Sequence, residues 1–305
     1  MRVHVLGSAA GGGFPQWNCN SGNNQRLHEG TTRAQARTQS SITVSADGER
    51  WVLINVSPDV RQQVIGFPGL RPAPGTRETG IAAIVLIDSQ IDHTAGLLVL
   101  REGAPLNVWS TEPVREDLST GLPLFKLLEH YCTVNWNEIS LQQPEFRIPQ
   151  APGLAFRAIQ LESAAPPYSP HRNDPDPNRG DNIGLLITDE RTGGKLFYAP
   201  GLGKTGPGVA DAMAAADCML VDGSFFYEDE MVRMSVGTKP ASAMGHLRQS
   251  GPGGMLELLG DYPDKRRVLI HINNTNPILD PDSPERAEVE AAGVEVAYDG
   301  LDIEL

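Results

Sequence analysis

The sequence predicts an α/β fold in one domain spanning residues 1–305. Strand-like apolar runs alternate with helical patterns from end to end, and no shift in composition separates two units. No repeat of fixed period appears, and 305 residues suffice to bury a sizeable core.

The elements follow from their patterns. Residues 2–6 alternate and are rich in β-formers, so the chain opens on a strand. Residues 41–44 and 51–56 flank Asp47 and Gly48, a hairpin turn pair. Residues 84–87 are a continuous apolar run, as a strand buried on both faces requires. Further strands are predicted at residues 106–109, 154–161, 183–188, 195–198, 218–221, 267–272 and 294–298. Helical spacing marks residues 58–65, 94–100, 113–118, 122–130, 209–216, 253–259 and 284–292. Two stretches are read as irregular: residues 7–37, rich in Gly and Asn, and residues 163–181, dense in Pro, Asp and Arg. Ordered loops of this length are binding loops or lids more often than plain connections, although for residues 163–181 a bland surface loop is an equal alternative. The glycines of residues 7–13 lack the Lys-Ser/Thr ending of a phosphate loop and the spacing of a dinucleotide fingerprint. They read as a bend that lets the backbone pass close to another group.

Charge and cysteine usage exclude whole classes. The 25 Lys and Arg against 38 Asp and Glu leave a net charge of −13, which rules against a nucleic-acid partner that needs surplus cations to displace counterions. Cys19, Cys132 and Cys218 are odd in number and have no framework spacing, which points to a reducing, cytoplasmic setting. No apolar run is long enough to span a bilayer, so membrane insertion is not expected. The opening residues 1–13 read as a strand and Gly turn rather than a signal peptide.

The sharpest local signal is IVLIDSQIDHTAGLLVL, residues 84–100. A buried strand runs into Asp88, Gln90, Asp92 and His93, and a helix is predicted to begin near Thr94. Residues at the carboxyl end of such a strand sit where ligands collect in α/β proteins. Taken alone, an Asp beside a surface His is more often a helix cap. The run VLIHINNTN at residues 268–276 changes the balance, because it carries His271 to the end of a second apolar strand. Two imidazoles and one carboxylate are the ligand set of a mononuclear site with open positions, typical of non-haem Fe(II) and open to catalytic Zn.

These residues carry a family resemblance. Residues 88–97 resemble the metal-binding signature of the metallo-β-lactamase superfamily, His-x-His-x-Asp-His followed by a helix and Gly-Leu. The strand ending in His271 resembles that superfamily's last metal histidine. Asp88 and Gln90 replace the two leading histidines, and Tyr198, Ala199, Pro200 and Gly201 stand where many relatives place a bridging Asp. One metal position is thus emptied and the other, Asp92 with His93 and His271, is kept. That departure argues against a dinuclear zinc hydrolase.

Longer segments extend the resemblance over almost the whole chain. GSAAGGGFPQWNCN, RTQSS, SPDVRQQ, SQIDHTAGLLVLREG, SAAPPYSPHR, GGKLFYAPGLG, MGHLRQSGPGGMLELL and HINNTNPILDPDSPERAEV are similar to the pyrroloquinoline quinone (PQQ) biosynthesis protein B family. The resemblance implies a four-layer αβ/βα metallo-β-lactamase sandwich and a role in making PQQ, which is built from a Glu–Tyr unit of a precursor peptide. It implies either iron- and O₂-dependent oxygenation of the tyrosine ring, or a carrier role for PQQ or its precursor. A mononuclear zinc hydrolase is the third reading.

On the oxygenase reading one divalent metal, Fe(II) in preference to Zn, is held by Asp92, His93 and His271, with O₂ as co-substrate and a small-molecule or dipeptide PQQ precursor as partner. Asp88 and Gln90, in the emptied position, are candidates to bind substrate or support the ligands. Arg172 and Arg179 are candidate carboxylate partners, since a guanidinium fork matches a carboxylate. His171 is a candidate proton shuttle or an exposed loop residue, and His246 is a candidate second-shell donor or the start of a helix. Asp222 orients a ligand histidine or caps a turn. Many family members follow Cys19 with two more cysteines that build a structural zinc site, whereas this chain has Ser21 and Asn24 there. The expectation is therefore no structural zinc at Cys19 and a looser loop over residues 21–30. The state of assembly, a homodimer included, is left open.

Overall fold

The computed structural model describes residues 1–102, 105–173 and 180–305. The first half of the chain supplies strands β1 (Arg2–Gly7), β2 (Ser41–Ser45), β3 (Trp51–Ile54), β4 (Ile81–Val85), β5 (Leu106–Ser110) and β6 (Val134–Glu138). The rest of the chain supplies β7 (Phe146–Arg147), β8 (Leu154–Gln160), β9 (Ile183–Asp189), β10 (Lys195–Ala199), β11 (Cys218–Asp222), β12 (Arg266–Ile270), β13 (Glu295–Val296) and β14 (Asp302–Glu304). They form two sheets in the orders β14-β1-β2-β3-β4-β5-β6 and β13-β12-β11-β10-β9-β8-β7. Each sheet is antiparallel on one side and parallel on the other, from β3 to β6 in the first and from β10 to β13 in the second.

Alternation along the strands decides what lies between the sheets. Val3, Val5, Ile42, Val44, Val52, Ile54, Ala83 and Val85 of the first sheet meet Leu154, Phe156, Leu185, Ile187, Leu196, Tyr198, Leu220 and Ile270 of the second. The opposite faces are also apolar, and they take the helices. Leu53, Ile84 and Val108 pack against α2 (Val60–Gly66), α4 (Glu112–Asp117) and α5 (Leu124–Leu128) through Val60, Val114 and Leu128. Phe197, Met219 and Leu269 pack against α6 (Pro207–Ala215), α8 (Met255–Gly260) and α9 (Pro284–Ala291) through Met213, Leu259 and Val289. Helix, sheet, sheet and helix layers result, the order that the resemblance implies.

Three sequence expectations change. The helix predicted at residues 94–100 begins earlier, as α3 (Ile91–Thr94) continued by a 3₁₀ turn over Ala95–Leu98. Asp92 and His93 therefore lie inside its first turn rather than in the turn before it. The irregular stretch at residues 7–37 contains α1 (Gly22–His28), so the loop expected to be looser is pinned. Its Asn23 and Asn24 side chains donate to the Asn276 carbonyl at 2.8 Å and to Asn274 Oδ1 at 2.9 Å, and Arg26 pairs with Asp280 at 2.5 Å. Cys19 Sγ belongs to this polar cluster, 3.3 Å from Ser21 Oγ and 3.4 Å from Asn24 Nδ2. Strands β6, β7 and β14 were not predicted. Among the described residues, no helix is long and apolar enough to cross a membrane.

Candidate metal centre

The centre lies where parallel strands of both sheets end. Beyond β4 the chain passes Asp88 and turns into α3, placing Asp92 and His93 one after the other. Beyond β12 it places His271, whose φ of 62° lies in the left-handed region that a non-glycine residue rarely adopts. That strained turn is held from several sides: Ser224 Oγ donates to the His271 carbonyl at 2.9 Å, and the amide of Ile272 donates to the Ser8 carbonyl at 2.9 Å. Strain kept by such bracing is common where a side chain must be aimed.

Asp92, His93 and His271 are brought together. Asp92 Oδ2 is 3.3 Å from His271 Nε2 and 3.8 Å from His93 Nε2, and the two rings meet edge-on with centroids 5.3 Å apart. One ligand atom from each lies within 4.8 Å of the others, close enough to hold a single ion. Gly11 passes so near that a Cβ there would lie 3.2 Å from Asp92 Oδ2, which is what the glycine-rich bend accommodates.

The surrounding groups fix which nitrogen faces the centre. Both Asp88 oxygens lie 2.8 Å from His93 Nδ1, so the carboxylate places the ring proton there. His93 Nε2 is left buried with no hydrogen-bond partner. A buried ring nitrogen aimed at a carboxylate and a second imidazole, with a carboxylate behind the ring, is the arrangement of a metal-ligating histidine. His271 Nδ1 lies 2.9 Å from Ser224 Oγ, leaving Nε2 toward Asp92. Burial disfavours the charged form of His93, but Asp88 and Asp92 outweigh it and lift the ring to about 9. Burial likewise works against the Asp92 carboxylate, and His93 and His271 overcome it, holding the group well below the usual range. The negative charge packed around these imidazoles attracts a cation.

His246 proves to be part of the same cavity rather than a helix start. It follows a 3₁₀ turn over Ser242–Met244, and its ring stacks on His271 with centroids 5.4 Å apart. The fully buried Asp222 accepts from His246 Nδ1 at 2.7 Å, so the carboxylate suspected of orienting a histidine orients this one. Burial opposes its protonation, and Asp222 reverses the balance and raises it. Asp222, His246 and His271 form a second group able to hold an ion; Cys19 belongs to neither group among the described residues. Sequence reasoning missed Ser224, Phe225, Met231 and Met244, which are among the residues lining the cavity of about 260 Å³. Ser224 carried a faint signal, two residues past the end of β11.

The other predicted substrate residues divide. Gln90 lines the cavity, and Asp88 lines it while serving His93. His171 and Arg172 lie further out: His171 Nε2 is 2.9 Å from Glu116 Oε2, and Arg172 Nη1 donates to the Ala165 carbonyl. Arg179 lies outside the described residues. The loop that carries His171 is tied to the metal motif through Asp117, fully buried at the end of α4, which accepts from Ser89 Oγ and Ser169 Oγ, each at 2.5 Å. Tyr168 Oη donates to the Ser89 carbonyl beside it. Asp117→Ala is expected to lower stability by about 1–3 kcal/mol, because two buried hydroxyls lose their acceptor. Thermal denaturation with a proteolysis time course at residues 163–173 checks this; an unchanged melt and an unchanged cleavage rate would count against the tie.

Comparison with known proteins bears on the family and the fold. A beta-lactamase superfamily domain matches residues 50–272. Over 306 aligned residues and the full length of both chains, the sequence is 61% identical to the coenzyme PQQ synthesis protein B of Pseudomonas syringae pv. tomato and 62% identical to that of Pseudomonas savastanoi pv. phaseolicola. The crystal structure of Zn²⁺-bound PqqB from Methylobacterium extorquens superposes with a TM-score of 0.90 at 38% identity, covering all of both chains.

Proposed function

The chain belongs to the coenzyme PQQ synthesis protein B family of the beta-lactamase superfamily, and from this premise we propose that it oxygenates a tyrosine-derived precursor at an Fe(II) centre. Membership gives it a role in PQQ biosynthesis and a metallo-β-lactamase fold. The observation that carries the chemistry is the donor set: two imidazoles and one carboxylate converge, with His93 Nε2 buried and unpartnered. Such a set, with positions left open, would suit non-haem Fe(II).

Asp92, His93 and His271 would hold the ion, and bound Fe(II) would supply the O₂ chemistry that no side chain can provide. The protein's part is positional. Asp88 and Ser224 keep His93 Nε2 and His271 Nε2 turned toward the centre. Phe225, Met231 and Met244 offer an apolar wall for an aromatic ring. His246, with Nδ1–H given to Asp222, presents Nε2 as an acceptor for a phenol hydroxyl, and the Asp222 carboxylate steadies a proton taken there.

The test is anaerobic reconstitution with Fe(II), then exposure to O₂ with glutamyl-tyrosine and mass analysis. The expected result is a product heavier by oxygen, formed only with iron and O₂. Binding of PQQ or precursor without a mass gain under any metal would move the assignment to a carrier. The zinc in the Methylobacterium relative favours a second reading, hydrolysis at a mononuclear zinc site. That reading predicts turnover under strict exclusion of O₂.

A further inference from the structure

The metal pocket does not end at its ligands. Gln90, Ser163, Met244 and Gly245 line it and also line an adjoining cavity of about 500 Å³. Ligand pockets for small molecules run from about 300 to 1,000 Å³. The metal pocket alone, at about 260 Å³, falls short of that range, so a ligand of dipeptide size would extend into the annex.

Charge in the annex runs against the rest of the molecule. The chain has a net charge of −13 and only five lysines, yet Lys204 and Lys239 both line this space together with Arg172. The three come from separate segments: Arg172 after β8, Lys204 after β10 and Lys239 between α7 (Glu230–Arg233) and α8. The acids in the annex are Glu162 and Asp181. Glu162 pairs with Lys204 at 3.3 Å. Arg172 donates to a backbone carbonyl, a neutral partner, and neither Arg172 nor Lys239 is in an ion pair among the described residues. A field set by −13 repels an anion, and local cations in a concave space are what reverse it.

We propose that the annex is a carboxylate subsite, in which Arg172 and Lys239 hold the acidic end of an elongated substrate while its other end reaches Asp92, His93 and His271. The subsite rests on the reading that the metal pocket takes a carboxylate-bearing precursor, and holds whether that precursor is oxygenated or only carried. It assigns Lys239, which no sequence motif marks, a share in specificity, and places Arg172 beside it. The guanidinium fork suits a carboxylate, and the lysine adds a mobile point charge.

Binding of glutamyl-tyrosine and of glutaminyl-tyrosine, which lacks the side-chain carboxylate, is measured by calorimetry on the Zn(II)-loaded full chain without O₂. Lys239→Gln and Arg172→Gln should each weaken glutamyl-tyrosine roughly twofold to fivefold at low salt, the range for solvent-accessible charge pairs. The double variant should lose about tenfold, and the differences should shrink as added salt shortens the screening length. Glutaminyl-tyrosine should bind the native chain more weakly and respond less to the substitutions. Lys126→Gln, exposed on α5 and outside both cavities, makes the same change in net charge and should leave binding unaltered. Native-like binding by both annex variants, or an equal loss in Lys126→Gln, overturns the subsite alone. If the native chain binds neither dipeptide, the precursor reading itself fails and takes the subsite with it.

Discussion

Alanine at His93 is expected to give a folded chain that no longer retains a divalent ion and has no metal-dependent activity. The reason is the division of labour around one ring: Nε2 is the buried atom aimed at the centre, and Nδ1 is held by Asp88. Removing the ring deletes a ligand and strands Asp88, which is only 6% exposed, without its partner. His93→Gln controls for the second effect, because its amide N–H can still reach toward Asp88. Asp88→Asn asks for less, since it keeps Nε2 but weakens the hold on Nδ1. Outer-shell changes of this kind reduce metal affinity by about 10–100-fold. The expected order of Zn(II) affinity is native, then Asp88→Asn, then His93→Gln, with His93→Ala at or below the last. Calorimetric titration with circular dichroism on the same samples reads both metal and fold. Stoichiometric zinc with native affinity in His93→Gln would remove this residue from the centre.

The site was legible in the sequence to the extent that single strands announced it. Residues 84–87 and 268–270 are apolar without interruption because parallel strands inside this sandwich are covered on both faces, and that pattern fixes where each strand ends. What stands at those ends, Asp92, His93 and His271, could then be read directly. His246 stays between two readings in the sequence, because the choice depends on Asp222 and Ser224, which are 24 and 22 residues away and meet it only in the fold. Lys204 and Lys239 were invisible for the same reason, as a cavity assembled from three segments has no local pattern. His171, from the sequence a candidate proton shuttle or an exposed loop residue, lines the adjoining cavity, and a neighbouring helix supplies Glu116 as its partner.

Each missed element lacks the local pattern by which the others are read. Helix α1 has no apolar stripe; its buried residues are Asn23 and Asn24, and it is held by amide hydrogen bonds to the turn after His271. Propensity and periodicity are silent on a helix stabilised in that way. Strand β6 is an edge strand with none of its residues fully buried, and β7 and β14 have two and three residues, too few to show a period. The early start of α3 was hidden by its composition, since Gln90 and Ile91 resemble neither a cap nor a breaker.

Gly96→Ala is expected to damage fold and metal site together, although residue 96 is not in the metal cavity. The 3₁₀ turn that follows α3 lies flat on the chain leaving β3, and the glycine is what allows the approach. A Cβ at Gly96 would collide with the Ser57 carbonyl oxygen and sit 2.9 Å from the Val56 carbonyl oxygen, both of them backbone atoms. Neither can rotate aside. Ser57 is tied by its hydroxyl to Gln63 Oε1 at 3.0 Å, and Val56 bonds this segment twice, accepting from the Gly96 amide at 3.0 Å and donating to the His93 carbonyl at 2.7 Å. Relief of the clash must therefore lift the turn, and the peptide it lifts through Val56 is that of His93. Overpacking of this kind costs about 3 kcal/mol where backbone must move. A displaced His93 should also weaken Zn(II) binding, by about 10-fold or more if the shift disturbs its bond to Asp88. Gly66→Ala is the matched control: it lies at the end of α2, where an added Cβ meets nothing within 4 Å, and it should be neutral or slightly stabilising. Melting curves with and without Zn(II) separate the two effects. Equal losses in both states would indicate a purely structural role, whereas a larger loss with metal present is what the Val56 link to His93 requires.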